Sequence, residues 1–310
     1  MKGHPPSARR VGTLRGFRAV GATLAGVAAL VAGGAREVRG DCKVSWHPER
    51  PGQGDVVHIV VETKGEQDRL RGFFLDRELR FFKVAPGSRA SHALAGIDYA
   101  QAPGTYELRI FSEGEVSACP VERVGIPVRA KEFAQERLTL PEHMVTLSPE
   151  NVARVEREQK LFSNVFAAVT PERLWDGPFS MPVKGTLGSP FGMRRIINAY
   201  PRSPHTGVDI KAMEGTPVAA SNRGRVVLVG SFFFAGNAVC IDHGEGVYTM
   251  YFHLSETCVR EGDVVDKGGL IGRVGATGRA QGPHLHWGVR IMGARVDPLT
   301  LVEATSVFPE

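Results

Sequence analysis

The sequence predicts a mainly β protein in which two β-rich regions are joined by a helix. Short runs of β-branched and aromatic residues, separated by Gly, Pro and Asp, fill residues 42–128. Apolar residues recur at helical spacing between residues 148 and 170, and short strands punctuated by Gly continue from residue 177 to about residue 302. A chain of 310 residues, 42% hydrophobic and 23% charged, is long enough for two modest domains.

The first forty residues have the pattern of an export signal. A basic stretch through Arg18 is followed by an apolar run over residues 19–32 and by the small residues 33–35. This apolar run is shorter than the roughly 20 residues that a permanent transmembrane helix needs. We therefore predict a signal peptide over residues 1–40, cleaved near Ala35 or Gly40, with an uncleaved anchor as the alternative. The mature protein would then be periplasmic or secreted, with no stable membrane span.

The net charge of +5 does not indicate a nucleic-acid partner. Much of the excess positive charge lies in the predicted signal peptide, which leaves the mature chain close to neutral.

Export to an oxidising compartment favours disulfide bonds. Cys42 and Cys119 bracket the first β-rich region, so we expect a disulfide between its first and last strands, which would contribute roughly 4 kcal/mol. Cys240 lies in an apolar strand and Cys258 in the turn that follows. These two form either a second disulfide or a pair of idle thiols.

Residues 41–130 are predicted to form an immunoglobulin-like β-sandwich. Strand patterns fall at residues 56–61, 70–75, 79–84, 91–99 and 105–111, and this many short strands at close spacing is typical of such sandwiches. The scattered histidines of this region, His47, His58 and His92, are interpreted as surface or packing residues.

Residues 131–176 are predicted to be a helical linker. Ser148 is a good N-cap and Pro149 suits the first helical position. The apolar positions that follow, from Val152 to Val169, indicate an amphipathic helix that packs on its neighbours.

The remaining segment, residues 177–310, carries the candidate chemistry. It holds five of the ten histidines: His205, His243, His253, His284 and His286. An extended chain sends residues i and i+2 to the same face, so His284 and His286 should project together. His205 and Asp209 supply a further nitrogen and a carboxylate oxygen. Two histidines and one aspartate, with one position left open for water, are typical of a catalytic zinc site.

A site of this kind can catalyse hydrolysis. Zinc lowers the pKa of bound water to about 7 and so provides a nucleophile at neutral pH. A histidine beside that water then acts as general base.

Six short motifs in the C-terminal segment resemble the lysostaphin-type zinc endopeptidases of peptidoglycan. They occur in the order of that family over about 110 residues: SPFGMR at 189–194, HTGVD at 205–209, YFHLS at 251–255, GDVV at 262–265, GATG at 275–278 and HLH at 284–286.

The resemblance implies a role for each residue of the site. His205, Asp209 and His286 match the ligands of the Zn²⁺ ion, and His253 and His284 match the two catalytic histidines that flank the zinc-bound water and the oxyanion. It also implies a C-terminal domain of antiparallel sheets around a narrow groove. The expected activity is hydrolysis of peptide cross-links, with the peptide stems of bacterial peptidoglycan as partner.

Four further features allow two interpretations each. His243 ends a strand, where a structural role is favoured over metal ligation. Arg194 would pair with a substrate carboxylate or form a structural salt bridge, and Tyr200 is a candidate for the groove wall. The three phenylalanines at 232–234 would form a substrate wall or pack internally.

Three rival functions are weighed against hydrolysis. A non-catalytic activator of other wall hydrolases would show substitutions at the ligand positions, which are intact here. An Fe(II) oxygenase uses the same ligand types but needs a cupin-like barrel, for which no pattern is present. The hairpin at residues 261–268 resembles that of a lipoyl-type carrier. Such a carrier needs a lysine at the tip of the expected hairpin, where this sequence has none.

The sequence leaves the cleaved bond open, whether D-Ala to diaminopimelate, a glycine bridge or another linkage. It also suggests that the N-terminal β region and the helix restrict access to the groove, because neither has chemistry of its own.

Overall fold

The computed structural model describes residues 36–37, 42–63, 70–112, 122–139, 147–201 and 203–309. The predicted signal peptide lies outside these ranges except for residues 36–37, and Cys119 lies outside them as well. Within them the chain is mainly β, as predicted. Neither helix of the described residues has the length and apolar character needed to cross a membrane.

The N-terminal region contains two four-stranded antiparallel sheets. One has the order β1-β2-β3-β6 and the other β5-β4-β7-β8. The strands are β1 (Arg36–Glu37), β2 (Cys42–His47), β3 (Val56–Thr63), β4 (Leu70–Phe74), β5 (Arg77–Arg80), β6 (Ala90–Gly96), β7 (Gly104–Ser112) and β8 (Glu122–Val128).

Both sheets contribute to one hydrophobic cluster that includes Val44, Ile59, Phe74, Leu108 and Ile126. The alternation of buried and exposed residues along β8 follows from the two-residue period of a strand with one face on this core. Two sheets around one core agree with a β-sandwich, and the immunoglobulin-like topology stays a prediction.

The predicted linker helix is present as α1 (Pro149–Ala167). The side chain of Ser148 accepts a hydrogen bond from the backbone N–H of Asn151, and Pro149 stands in the first turn, as the sequence indicates. Only Val155 of this helix is fully buried. The linker also contains a strand that the pattern did not predict, β9 (Gln135–Leu138), which pairs in parallel with a strand of the C-terminal region.

The C-terminal region is built on a ten-stranded sheet. The path β10-β13-β20-β17-β16-β15-β18 forms its body, and β14, β19 and β21 pair beside it. A three-stranded sheet of order β12-β11-β9 lies apart from it. The elements are β10 (Thr186–Leu187), β11 (Arg194–Ile197), β12 (Tyr200–Pro201), β13 (Gly207–Lys211), β14 (Pro217–Ala219), β15 (Gly224–Phe232), β16 (Gly236–Asp242), β17 (Val247–Thr257), β18 (Val264–Val265), β19 (Leu270–Val274), β20 (Leu285–Ile291), β21 (Ala294–Val296) and the helix α2 (Pro298–Thr305).

The ten-stranded sheet has two different faces because alternate residues of β20 point in opposite directions. Leu285, Trp287, Val289 and Ile291 are buried in the main core. His286 and Arg290 point to the other face, which forms the floor of a groove. On that side α1 packs on a second cluster that includes Leu228, Phe232 and Met250, with Phe162 and Phe166 of the helix against it.

The N-terminal β region and the C-terminal region pack together through an inter-region interface. The guanidinium of Arg295 donates two hydrogen bonds to the carboxylate of Asp98, at 2.6 and 3.0 Å. The backbone N–H of Val56 donates to the hydroxyl of Thr300. Val56 and Leu94 belong to the main core of the C-terminal region, so part of that core comes from the N-terminal strands.

Candidate metal centre

Three donor atoms, two from adjacent strands and one from the segment before the first of them, meet on the floor of the groove. Asp209 of β13 lies directly opposite His286 of β20, and His205 precedes β13. The distances are 2.9 Å from His205 Nε2 to Asp209 Oδ1, 2.9 Å from His205 Nε2 to His286 Nδ1, and 3.0 Å from His286 Nδ1 to Asp209 Oδ1. These residues were singled out from the sequence as metal ligands, and the fold brings all three together.

The three donors suit a divalent metal ion. Histidine nitrogens and a carboxylate oxygen are ligands that zinc accepts, and an ion roughly 2.1 Å from each donor can contact a triangle of this size. Among the described residues this is the one group of three or more His, Cys, Asp or Glu side chains with donors placed to share an ion.

Glycine at position 207 is required by this packing. A Cβ atom there would lie 2.7 Å from Nε2 of His286 and 2.4 Å from the carbonyl oxygen of Trp287. The glycine of the HTGVD motif therefore makes room for the histidine ring on the neighbouring strand.

Hydrogen bonds around the site orient His205. Its Nδ1 lies 2.9 Å from the carbonyl oxygen of Pro190, which can only accept, so Nδ1 carries the proton and Nε2 is left as a donor for a metal.

The electrostatics of the site favour an ionised Asp209 and a neutral His286. Burial alone would raise the pKa of Asp209, but the adjacent rings of His205 and His286 outweigh burial and hold that pKa well below its usual value. Burial lowers the pKa of His286. An ionised carboxylate and neutral imidazoles are the forms that bind metal.

His253 and His284 lie beside the three donors. Their ring centroids are 4.8 Å apart, and His284 Nε2 lies 3.7 Å from Asp209 Oδ1. The Nδ1 atom of His253 is 2.9 Å from the carbonyl of Thr277, and that of His284 is 2.8 Å from the carbonyl of Gly282. Each Nδ1 therefore carries a proton, and each Nε2 is free to accept one.

His253 reaches the groove through an unusual backbone conformation. Consecutive residues of a regular strand face opposite ways, yet both Phe252 and His253 line the groove. His253 has φ +64°, in the left-handed region, and the pairing of β17 shifts register nearby. Its backbone N–H donates to the carbonyl of Ala235. Burial lowers its pKa to about 4, so its ring is neutral at physiological pH.

The GATG motif holds the loop that positions these histidines. Gly278 has φ +70°, and a Cβ atom there would lie 2.3 Å from the backbone nitrogen of Gly236. Only glycine permits this approach between the two loops. The approach keeps the carbonyl of Thr277 against His253.

The groove has a volume of about 1360 Å³. Besides the histidines and Asp209, its lining includes Val155, Glu158, Phe162 and Phe166 of α1, Phe232 and Phe234, and Ile197, Ser203 and Pro204. α1 lines the groove, whereas the described residues of the N-terminal β region do not, and the expectation that these two segments limit access stays a prediction. The sequence alone did not identify Phe162 and Phe252 as site residues. Phe252 stacks on His286 with centroids 5.4 Å apart, and Phe162 contacts Phe252 edge to face.

The other candidates have structural roles. His243 is fully buried, with Nδ1 2.8 Å from the carbonyl of Arg223 and Nε2 2.7 Å from the hydroxyl of Thr249. Arg194 donates to the hydroxyl of Tyr99, which is neither of the two roles expected for it. Tyr200 is 70% exposed on β12 and is absent from the groove walls of the described residues.

The structure also gives an outcome for the three phenylalanines at 232–234 and for the second pair of cysteines. Phe232 packs against Phe162 and also lines the groove together with Phe234, whereas Phe233 is not one of the lining residues and contacts Phe234 edge to face. Cys240 is buried, Cys258 is exposed, and both are free thiols, so the second disulfide is not formed.

Comparison with known proteins agrees with this site. A profile of peptidase family M23 matches residues 203–298. The DD-carboxypeptidase/endopeptidase Mpg of Neisseria meningitidis serogroup B is 45% identical over 120 residues, which are 38% of this chain and 27% of the relative. The peptidoglycan DD-endopeptidase ShyA of Vibrio cholerae is 40% identical over 117 residues, which are 37% of this chain and 27% of ShyA. The chain thus spans about a quarter of the length of these relatives.

A solved structure extends the likeness beyond the C-terminal region. The crystal structure of a protein described as a peptidase M23 from Pseudomonas aeruginosa is 32% identical, with a TM-score of 0.64, over 82% of this chain and 96% of that one. Since that likeness covers nearly all of a relative and the profile match covers the metal centre, the chain belongs to peptidase family M23.

Proposed function

We propose that this protein is an exported, zinc-dependent endopeptidase that hydrolyses peptide cross-links of bacterial peptidoglycan. The observation that carries the proposal is the convergence of the donors of His205, Asp209 and His286 on the groove floor, with the free Nε2 atoms of His253 and His284 beside them. The names of the relatives, a DD-carboxypeptidase/endopeptidase and a peptidoglycan DD-endopeptidase, support the substrate.

His205, Asp209 and His286 would hold the metal. A zinc ion, when bound, polarises the peptide carbonyl and makes water a stronger nucleophile at neutral pH.

The two remaining histidines would move the protons of the reaction. Each ring is fixed through Nδ1 by a backbone carbonyl, so each presents Nε2 to the site. A neutral imidazole accepts a proton from the attacking water and, once protonated, donates to the developing anion or to the leaving nitrogen. Burial keeps His253 neutral above about pH 4, so its Nε2 carries no proton at neutral pH.

The test is digestion of purified peptidoglycan by the purified mature protein, with mass spectrometry of the released fragments. We expect fragments that arise from cleavage of peptide bonds, loss of release after treatment with a chelator, and recovery on addition of zinc. Fragments cut only in the glycan chain, or release that resists chelation, would contradict the proposal.

Export is part of this proposal. The basic, apolar and small-residue pattern of residues 1–35 supports removal of the N-terminus on export, and the positions of Cys42 and Cys119 support a disulfide between them. Intact-mass analysis of the periplasmic protein, with and without reduction and thiol labelling, should show both. Retention of the first 30 residues, or labelling of both thiols without reduction, would contradict this part.

A further inference from the structure

The groove carries an excess of positive charge. Apart from the metal-site Asp209, the charged side chains that line it are Glu158, Lys211, Arg279 and Arg290. Glu158 is already neutralised, because its carboxylate accepts hydrogen bonds from Arg154 Nε at 2.8 Å and from the backbone N–H of Phe233 at 2.9 Å. The three cations remain, and within the described part of the chain none of them forms an ion pair.

Arg290 lies at one end of the groove. It is four residues beyond His286 on the same face of β20, which places it roughly 13 Å along the strand. Its guanidinium lies 5.3 Å from the ring centroid of Phe166. Nη1 donates to the carbonyl of Gly293 at 3.3 Å, while the buried Nε has no hydrogen-bond partner among the described residues.

The described residues satisfy only part of the hydrogen-bonding capacity of Arg290. Burial lowers the pKa of Arg290 to about 10, so the side chain still carries its charge at neutral pH. A half-buried guanidinium with one long hydrogen bond retains donors for an anion that enters the groove.

Lys211 and Arg279 lie at the other end. Lys211 is two residues beyond Asp209, on the same face of β13 and roughly 7 Å along that strand. Arg279 belongs to the loop whose carbonyls hold His253 and His284, and its guanidinium lies 5.3 Å from the ring centroid of Phe234. Because β13 and β20 are antiparallel, with Asp209 opposite His286, Lys211 and Arg290 lie on opposite sides of the metal centre.

We infer that the groove selects an acidic peptide, with one carboxylate held by Arg290 and another, across the scissile bond, held by Arg279 and Lys211. This inference rests on the proposed function and adds the charge of its substrate. The two ends are separated by six strand positions, or roughly 20 Å, which is about the length of six extended residues. Stem peptides with free carboxylates on both sides of a cross-link match this pattern, whereas a glycine bridge carries no such groups. Arginine is well suited to this task because its planar guanidinium pairs with carboxylates in a bidentate manner.

The test compares one soluble cross-linked muropeptide in two forms, with its carboxylates free and with them amidated. We expect the wild-type protein to have a kcat/KM at least tenfold higher for the free acid, a factor typical of hydrogen bonds to charged groups. Arg290→Gln and the double variant Lys211→Gln with Arg279→Gln should lose about tenfold on the free acid, mainly through KM, and little on the amidated form. Arg290→Lys, which keeps the charge, should recover part of the loss.

Arg260→Gln is the matched control, since Arg260 is an exposed residue away from the groove. Equal wild-type kinetics on the two forms, or variants that lose the same factor on both, would overturn the inference. The double variant changes surface residues and keeps the test decisive if Arg290→Gln does not fold.

Binding separates this inference from the proposed function. Calorimetric titration of the zinc-loaded His284→Ala protein with each form measures charge selectivity without turnover. Selective binding without any hydrolysis by the wild type would contradict the proposed function and support the inference. Hydrolysis by the wild type without selective binding would support the proposed function and contradict the inference.

Discussion

At the level of single residues, His243 shows how a histidine of the C-terminal region can serve the fold and not the candidate metal site. Both ring nitrogens are used inside the protein, one by the carbonyl of Arg223 and the other by the hydroxyl of Thr249. Burial lowers its pKa to about 4, so the ring is neutral at physiological pH. A ring with both nitrogens engaged has no atom left to bind metal.

His243→Ala should therefore destabilise the protein without removing its metal. The variant leaves two buried polar partners unsatisfied and opens a cavity, which together cost about 3 kcal/mol. Chemical denaturation and metal analysis of the same sample measure the two effects. A stable variant that has lost its metal would show that His243 is a ligand after all.

The meeting of His205, Asp209 and His286 could be predicted because strand geometry is local. The HxH spacing places His284 and His286 toward the same site, and the HTGVD motif supplies His205 and Asp209 from the strand beside them. The position of His253 was predictable only from the family motif. Its side chain faces the groove because its φ is positive and its strand shifts register, and neither feature leaves a periodic signal in the sequence.

At the scale of elements, α1 is held on the sheet by few contacts. Val155 is its one fully buried residue, and Phe162, Val165 and Phe166 are partly buried against the cluster beneath the helix. Most of the stability of a helix in a protein comes from the packing of its apolar face, so these contacts determine whether α1 stays in place. Since α1 lines the groove, its attachment should govern access to the metal centre.

Phe162→Ala should loosen this wall and increase the hydrolysis of intact cell walls. The substitution removes the contacts of α1 with Phe232 and Phe252. We expect a several-fold higher rate on insoluble peptidoglycan and little change on a small soluble muropeptide, which needs less space. The matched control is Leu161→Ala, since Leu161 is 42% exposed on the same helix. A lower rate on both substrates would mean that α1 supports the site instead of covering it.

The existence of α1 was evident from Ser148, Pro149 and the apolar spacing, but its position was not. Sequence spacing indicates which face of a helix is apolar, whereas the partner of that face is a long-range contact. For the same reason the pairing of β9 with β11 and the hydrogen bond of Arg194 to Tyr99 were not foreseen.

At the scale of the whole molecule, the inter-region interface contains two histidines whose protonation in acid favours the unfolded state. His58 Nε2 lies 3.0 Å from His92 Nδ1, and both rings contact Phe308 of the C-terminal region. Burial, with His92 and His47 as smaller contributors, lowers the pKa of His58 to about 3. Burial and Arg173 lower the pKa of His92.

These shifts make the protein less stable in acid. The unfolded chain binds a proton at His58 near pH 6.5, whereas the folded chain resists it down to about pH 3, so the free energy of unfolding falls as pH drops below 6.5. Glu245 acts in the opposite direction, because burial raises its pKa to about 7 and the folded state takes up that proton first. Glu245 therefore offsets part of the loss in acid, whereas other buried histidines with a lowered pKa, such as His92 and His243, add to it.

His58→Leu isolates the histidine. Between pH 7.5 and pH 5 the wild type should lose about 2 kcal/mol more than the variant, because Glu245 is present in both. Urea denaturation at the two pH values measures the difference. Parallel losses in the two proteins would show that His58 is not protonated preferentially in the unfolded chain.

The two β-rich regions and the helix between them follow from the sequence pattern, but the way they join does not. The interface pairs residues that are far apart in the chain, as in the bidentate contact of Asp98 with Arg295 and the hydrogen bond of Val56 with Thr300. His58 and His92 looked scattered for this reason, since only the pairing of β3 with β6 brings them together.

His284 and His286 are assigned different roles, proton transfer and metal binding, and metal analysis of two alanine variants distinguishes these roles. His286→Ala removes one of the three metal donors, so zinc content and release of peptidoglycan fragments should fall together. His284→Ala leaves the three donors in place and removes a proton acceptor, so the variant should keep most of its zinc while its rate falls by roughly 10² or more. Loss of zinc from His284→Ala, with zinc and activity retained in His286→Ala, would contradict the account.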